Sequence, residues 1–195
     1  MFDSGISANE LVDELINEVD IALDIPNATY ISWLNSLQQL LYTEVIKEQK
    51  KITVDREKDS PIDLSSIYVG NDELRPRFED IHAIYADGVQ LIKSTVASGV
   101  IFPDTFYKEN NNIGLNTDKT KIELVYIVKP ALVEKDTDTV KVPIEFIDLV
   151  KAKLRGEAYK LANEDSLAAK WLNDYNVLLE VFKAWIVEKS AKFGL

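Results

Sequence analysis

The stretch "VPIEFIDLVKAKLRGEAYKLANED" (Val142–Asp165) decides the fold class, because it returns the chain to helix after a long strand-like middle. Pro143 occupies the position that proline favours in a first helical turn. Apolar residues then recur every three or four positions from Phe146 to Leu161, which predicts an amphipathic helix. "ANED" turns the chain, and Asp165 begins a fourth helix with the strongest periodic pattern in the sequence.

The N-terminal segment predicts two further helices. Ser7 and Glu10 have the spacing of a capping box, in which each side chain satisfies the other's free backbone N–H. Pro26 ends this first helix, since it disfavours a helical residue before it. A second amphipathic helix is predicted from Asn27 to Lys50.

The middle of the chain predicts strands and turns. Asp87-Gly88 lies between two apolar runs, which is a hairpin signal because a type I′ turn needs positive φ at both central residues. The asparagine run at residues 110–112 and the polar cluster at residues 116–120 predict further turns, and Lys121–Lys129 predicts a strand. A lone amphipathic helix cannot bury its own apolar face. We therefore predict an α+β protein, with a discontinuous four-helix bundle (1–50 and 141–195) and a β-rich insertion (51–140).

The composition disfavours several classes of protein, among them tight nucleic-acid binders and disulfide-bonded proteins. The chain carries 33 acidic and 22 basic residues, a formal charge of −11, which disfavours tight sequence-specific binding to nucleic acid. Residues 1–50 alone carry nine acidic and two basic residues. The absence of cysteine excludes disulfides and thiolate metal sites. The N-terminus has no cationic, apolar leader, and charges interrupt the most apolar stretch, Val177–Val187. We expect a soluble protein made in a cytoplasm.

Few residues suggest chemistry. His82 lies beside Glu79 and Asp80, but one histidine without a second histidine or a cysteine supports no common zinc site. Asp136 and Asp138 invite a calcium interpretation, yet they lack the loop that calcium sites of this kind need, and turn chemistry explains them better. The sequence has no glycine-rich phosphate loop and no nucleophile elbow. We therefore expect no catalysis, no cofactor and no metal.

Three segments, taken in order, resemble the head–tail adaptor, or tail tubular, proteins of short-tailed bacteriophages. "YADGVQL" (Tyr85–Leu91) is similar to a hairpin of that family, and "IELVYIVKPALV" (Ile122–Val133) resembles the strand that precedes the return to helix. Val142–Ile186 resembles the closing helical pair. The resemblance implies a structural virion protein, a connector made in the bacterial host cytoplasm and located at the neck between capsid and tail.

Such adaptors form a ring, about twelve-fold, that binds the portal and seats the tail nozzle or tail tube. The ring leaves a channel through which genomic DNA passes during ejection without specific binding, and no membrane is involved. An acidic channel wall would keep DNA from sticking. The candidate contact residues lie at two β tips and at a C-terminal end that has no obvious helix of its own: Asp87, Gly88, Asn110, Asn111, Asn112, Phe193 and Leu195.

The sequence leaves three alternatives open. The protein could be another tail, neck or baseplate component of a virion, a non-viral acidic scaffold for protein–protein interaction, or an enzyme with an unrecognised carboxylate site. An enzyme should have a pocket with carboxylates of perturbed pKa. An adaptor should instead have extended surfaces that contact neighbouring subunits.

Overall fold

The computed structural model describes residues 2–19, 24–58, 60–67, 81–94, 102–109, 112–135 and 137–193. Helices and antiparallel sheets are both present, which confirms the predicted α+β class. The chain divides into two compact units. The helical unit comprises Met1–Ile46 and Leu132–Leu195, and the β unit comprises Lys47–Ala131.

Both ends of the chain contribute helices to the helical unit. Its described helices are α1 (Ala8–Glu18), α2 (Asn27–Leu41), α3 (Ile147–Leu161) and α4 (Asp165–Phe193). The capping box predicted for α1 is present, since the Glu10 amide donates to Ser7 Oγ at 3.2 Å and the Ser7 amide donates to Glu10 Oε2 at 3.0 Å. The 29 residues of α4 span roughly 43 Å at 1.5 Å per residue.

The four helices share one hydrophobic core. Each supplies at least one fully buried side chain, among them Leu11, Leu34, Leu149 and Phe182. The tryptophans Trp33, Trp171 and Trp185 are partly buried and pack against the same core. The apolar stripes predicted from the sequence therefore face inward, and burial of these stripes is the main force that holds the helices together.

Helices α3 and α4 form an antiparallel hairpin. Phe146, just before α3, packs on Phe182 with ring centroids 4.7 Å apart, while Arg155 lies over the ring of Trp171 at 4.6 Å. A Cβ atom added at Gly156 would lie 2.7 Å from Leu172 Cδ2, so the two helices approach closely at this glycine. The small residue in α3 thus has a packing role.

The second predicted helix is too long. Helix α2 ends at Leu41 and continues as one π-helical turn, Tyr42–Ile46, after which Lys47 has a φ of 50°. Strand β1 (Gln49–Asp55) begins two residues later. Residues 49 and 50 are strand rather than helix because they pair with a neighbouring strand, and this tertiary pairing overrides the local helical pattern.

The β unit contains two four-stranded sheets in its described residues. In the first, the strand order is β1, β8 (Lys121–Ile127), β3 (Ile81–Ala86) and β4 (Val89–Gln90). In the second, the order is β2 (Ile62–Asp63), β7 (Asn112–Asn116), β6 (Thr105–Glu109) and β5 (Ile92–Lys93). Neighbouring strands are antiparallel except β5 and β6, which are parallel.

The two sheets share a core. Buried side chains from the first sheet, such as Ile84 and Leu124, belong to one cluster with Phe106 and Ile113 from the second. The sequence predicts an insertion over residues 51–140, whereas the compact β unit runs from Lys47 to Ala131. Residues 132–140 join the helical unit because Val133 and Val140 are buried in its core.

The returning segment is held to the helical unit by polar side chains of α2. Asn35 Nδ2 donates to the carbonyl of Val133 at 3.1 Å, and Asn35 Oδ1 accepts from the amide of Val133 at 2.8 Å. The carboxamide oxygen of buried Gln38 accepts from the amide of Lys141. These bonds satisfy backbone groups that would otherwise be buried without partners.

Candidate functional site

The predicted hairpin at Asp87-Gly88 is present and exposed. It joins β3 to β4, and its φ values of 49° at Asp87 and 81° at Gly88 are those of a type I′ turn. Asp87 Oδ2 lies 3.6 Å from Lys119 Nζ, and both side chains are about half exposed. The pair is screened by solvent and contributes little to stability, so both charges lie where a partner could contact them.

Arg56 organises the loops around this hairpin. Its guanidinium donates to three backbone carbonyls: Nε to Lys119 at 3.1 Å, Nη1 to Ser60 at 2.8 Å, and Nη2 to Thr117. The side chain is buried, so these bonds compensate the cost of removing its charge from water. We call residues 56–58, 60, 87–88 and 117–120 the Arg56 tip. Sequence reasoning missed Arg56, since a single arginine in a polar segment gives no pattern.

The second predicted tip lies elsewhere in the β unit. Asn112 begins β7 and pairs with Asp63 and Glu109. The Arg56 tip includes the loop that follows the other end of β7, so the two predicted tips lie at opposite ends of this strand. Asn110 and Asn111 lie outside the described residues. Of the predicted contact residues that the structure describes in the β unit, Asn112 therefore does not share a surface with Asp87 and Gly88.

The predicted free C-terminal end is wrong for Phe193. Helix α4 includes Phe193, because residues 188–193 contain neither glycine nor proline and include good helix formers. Leu195 lies outside the described residues. The backbone of Phe193 is therefore helical.

His82 lies at a shallow cavity of the β unit. It occupies a register shift between Ile81 and Ala83, and its side chain is exposed. The cavity has a volume of about 450 Å³ and lies among strands β3 to β6. Glu79 and Asp80 lie outside the described residues. Across the described ranges, no group of three or more histidine, aspartate or glutamate side chains could hold a metal.

Asp138 has a structural role, as the sequence analysis predicts. Its Oδ2 accepts from the amides of Glu134 and Lys135 at 2.9 and 2.8 Å. These two backbone hydrogen bonds stabilise the carboxylate and lower the pKa of Asp138. Asp136, the other residue of the calcium interpretation, lies outside the described residues.

Part of the N-terminal acidity is neutralised within the helical unit. Glu14 and Glu18, one turn apart on α1, form ion pairs with Lys151 and Arg155 on α3. The charge that α1 presents to a partner is therefore smaller than the sequence indicates. A charge count along the chain misses this pairing, because the sequence alone does not show which helix packs against α1.

Residues 2–6, which we call the N-terminal strap, precede α1. The Ser4 amide donates to the carbonyl of Val140, and the Val140 amide donates to the carbonyl of Ile6, each at 3.0 Å. Asp3 accepts from Lys141 Nζ at 2.8 Å, and mainly this bond lowers the Asp3 pKa to about 2. Phe2 packs on Trp185, with ring centroids 5.7 Å apart. The strap is thus bound to residues 140 and 141 and packs on Trp185 of α4.

The outer face of α4 is the second feature that sequence reasoning missed. Val177, Val181 and Val187 are each more than half exposed, although the same helix buries Phe182 and Ile186 in the core. Val181 and Val187 are six positions apart, about 120° around the helix, so the three valines do not form one stripe. They are single exposed apolar positions on the solvent side of a helix whose other side is packed.

No protein-family model matches the chain, and a search of curated proteins finds no similar protein. Within the described ranges, every helix is too short or too polar to span a membrane.

Proposed function

We propose that the protein is a head–tail adaptor of a bacteriophage virion. In this role it forms a ring of about twelve copies below the portal, seats the tail and leaves a channel for the genome. One observation carries the proposal: both ends of the chain build a helical unit, and the middle builds a separate β unit. This is the order of elements on which the resemblance to the adaptor family rests.

The two-unit organisation suits a ring. A closed ring needs two different contact surfaces on each subunit, because each copy meets one neighbour on either side. The helical unit offers the exposed valines of α4, and the β unit offers the Arg56 tip. We further propose that the four helices act as a single bundle that carries the subunit contacts, and that the role requires no catalysis.

We assign the Arg56 tip to contact with the tail or a neighbouring subunit. The tip combines a rigid hairpin with an exposed ion pair, Asp87–Lys119, on loops that Arg56 holds in place. Rigid loops lose little conformational entropy when they bind. Asp87→Lys should reduce incorporation of the protein into particles, whereas Asp13→Lys, an exposed charge reversal on α1, should not.

The copy number per particle tests the function. Purified particles from the source lysate are analysed by quantitative mass spectrometry against the portal protein. A ring adaptor should be present in about the same number of copies as the portal. Many more copies would indicate a tail-tube or capsid protein, and absence from purified particles would contradict a role in the virion.

A further inference from the structure

We propose that strand β1 pairs with β1 of a second copy, so that the first sheets of two copies join edge to edge. The contact goes beyond the proposed ring. It is isologous, since both copies use the same surface, and a contact of this type closes after two copies instead of repeating around a ring. It therefore belongs to the free protein before assembly.

Strand β1 is an edge strand in the described part of the β unit. It is first in the order β1, β8, β3 and β4, and among these strands it pairs only with β8. Its seven residues include neither proline nor glycine, and its register with β8 has no bulge from Gln49 to Asp55. Proline and bulges are devices that keep edge strands from pairing with other chains. Strand β1 lacks both.

The outward hydrogen-bonding groups of β1 belong to its odd-numbered residues. Directly after the strand, the Arg56 amide donates to the Thr120 carbonyl of the segment before β8 at 2.9 Å. Residues that bond to the neighbouring strand alternate along an antiparallel pair, so the even-numbered residues of β1 also bond to β8. The N–H and C=O groups of Lys51, Thr53 and Asp55 therefore point away from β8, and these three residues are exposed.

The charges of β1 favour one antiparallel register between two copies. Odd-numbered residues must lie opposite odd-numbered residues, because only these have outward backbone groups. When the two-fold axis passes between the two copies of Thr53, Lys51 of each copy lies opposite Asp55 of the other. An axis at Lys51 would place two lysines opposite each other, which is unfavourable. An axis at Ile52 would place Lys51 opposite Thr53 and leave Lys51 and Asp55 only diagonal.

Both charged residues can take part in this contact. The Asp55 side chain is exposed and forms no ion pair with another described residue. Lys51 Nζ lies 2.7 Å from Glu123 Oε2 on β8, and 55% of the Lys51 side chain remains exposed. An ammonium group has three hydrogen-bond donors. Lys51 can therefore keep its bond to Glu123 and also bond to Asp55 of the second copy.

The even-numbered side chains continue the apolar layer of the β unit. Ile52 and Val54 are half-buried and pack against its core. In the proposed register, Ile52 of one copy lies opposite Val54 of the other, so the apolar layers of the two copies meet. Residues 51–55 of the two strands exchange about six backbone hydrogen bonds. A contact of this size should give a reversible dimer with a Kd between about 1 μM and about 1 mM.

Two charge-reversal variants test the pairing. Full-length wild type, Lys51→Glu and Asp55→Lys are compared by sedimentation velocity at concentrations up to about 1 mM. Each variant alone places like charges opposite each other at both ends of the contact, so its Kd for dimerisation should rise at least about tenfold. An equimolar mixture of the two variants should form heterodimers about as tightly as wild type forms homodimers, because each reversed charge then faces its opposite.

Three results would overturn the proposal. Wild type that remains monomeric at about 1 mM would exclude a dimer of the expected strength. Variants that dimerise as tightly as wild type would show that β1 is not the contact surface. A mixture that remains monomeric, with both variants folded by circular dichroism, would contradict the pairing of Lys51 with Asp55.

Single cysteines test the register, because the natural chain contains no cysteine. In Thr53→Cys the two thiols lie beside the two-fold axis, with Cα atoms about 5.5 Å apart, a separation that allows a disulfide. Val89→Cys, an exposed position on β4 at the other end of the same strand order, is the control. We expect Thr53→Cys to form linked dimers at least about tenfold faster on air oxidation, because pairing raises the effective concentration of its thiols.

The control also distinguishes the two edges of the sheet. Equal rates for the two cysteine variants would show that only random collisions are trapped, and faster linkage of Val89→Cys would place the contact at β4. Either result would overturn the pairing of β1. The test is independent of the adaptor function: dimers of a protein that is absent from particles would retain this contact and refute the adaptor, and the reverse result would do the opposite.

Discussion

Replacing Phe182 by alanine tests the packing of the helical unit most sharply. The Phe182 side chain has no exposed surface and lies 4.7 Å from the ring of Phe146 and 6.2 Å from that of Trp185. Truncation would remove its contacts and leave a cavity, which costs about 3–5 kcal/mol of unfolding free energy. Val181→Ala is the matched control, because the preceding residue is more than half exposed, and its cost should be within about 0.5 kcal/mol.

Tryptophan fluorescence during urea unfolding provides the assay. All three tryptophans, Trp33, Trp171 and Trp185, belong to the helical unit, so their emission follows this unit without interference from the β unit. In thermal unfolding, the same loss corresponds to a fall in Tm of about 6–20 °C. A loss below about 1 kcal/mol for Phe182→Ala, or equal losses for both variants, would refute the packing described for α3 and α4.

Three further predictions concern other parts of the chain. Arg56→Met removes the charged donor from three backbone carbonyls, those of Ser60, Thr117 and Lys119. The β unit should therefore lose about 1.5–3 kcal/mol of unfolding free energy, measured by hydrogen exchange of β8 amides, and unchanged exchange would contradict the role of Arg56. Gly156→Ala should lower stability by about 1–3 kcal/mol in urea unfolding, because the new methyl group meets Leu172, and a gain from helix propensity would contradict the close approach. Asp3→Asn removes a carboxylate whose pKa falls from 3.8 to about 2 through its bond to Lys141. A carboxylate whose pKa is lower in the folded protein stabilises the fold at pH values above its pKa in the unfolded chain. The difference in unfolding free energy between wild type and Asp3→Asn should therefore shrink as the pH falls from 3.8 towards 2 in urea titrations. A constant difference would contradict this role.

Local signals in the sequence predict much of the fold. The capping box of α1 and the turn at Asp87-Gly88 are confirmed because both depend on residues close together in the chain. Periodicity likewise predicts the buried faces of the helices. The same signals fail at the end of α2. Residues 49 and 50 pair with β8, which is distant in sequence, and this pairing places them in strand β1 instead of a longer α2.

The candidate site is less predictable because it depends on distant contacts. The role of Arg56 follows from carbonyls some sixty residues away, such as those of Thr117 and Lys119. Pairing of Glu14 with Lys151 is equally invisible in a count of charges. The exposure of Val181 is equally hard to predict, because it directly precedes buried Phe182 and lies near Trp185 on a helical wheel.

Immunogold labelling of intact particles tests the central claim most directly. An antibody raised against the purified protein is applied to particles from the source lysate and viewed by electron microscopy, with antibody blocked by excess protein as the control. The account predicts gold at the neck, between capsid and tail. Gold elsewhere on the particle, or its absence from particles in which the portal is labelled, would contradict the adaptor function.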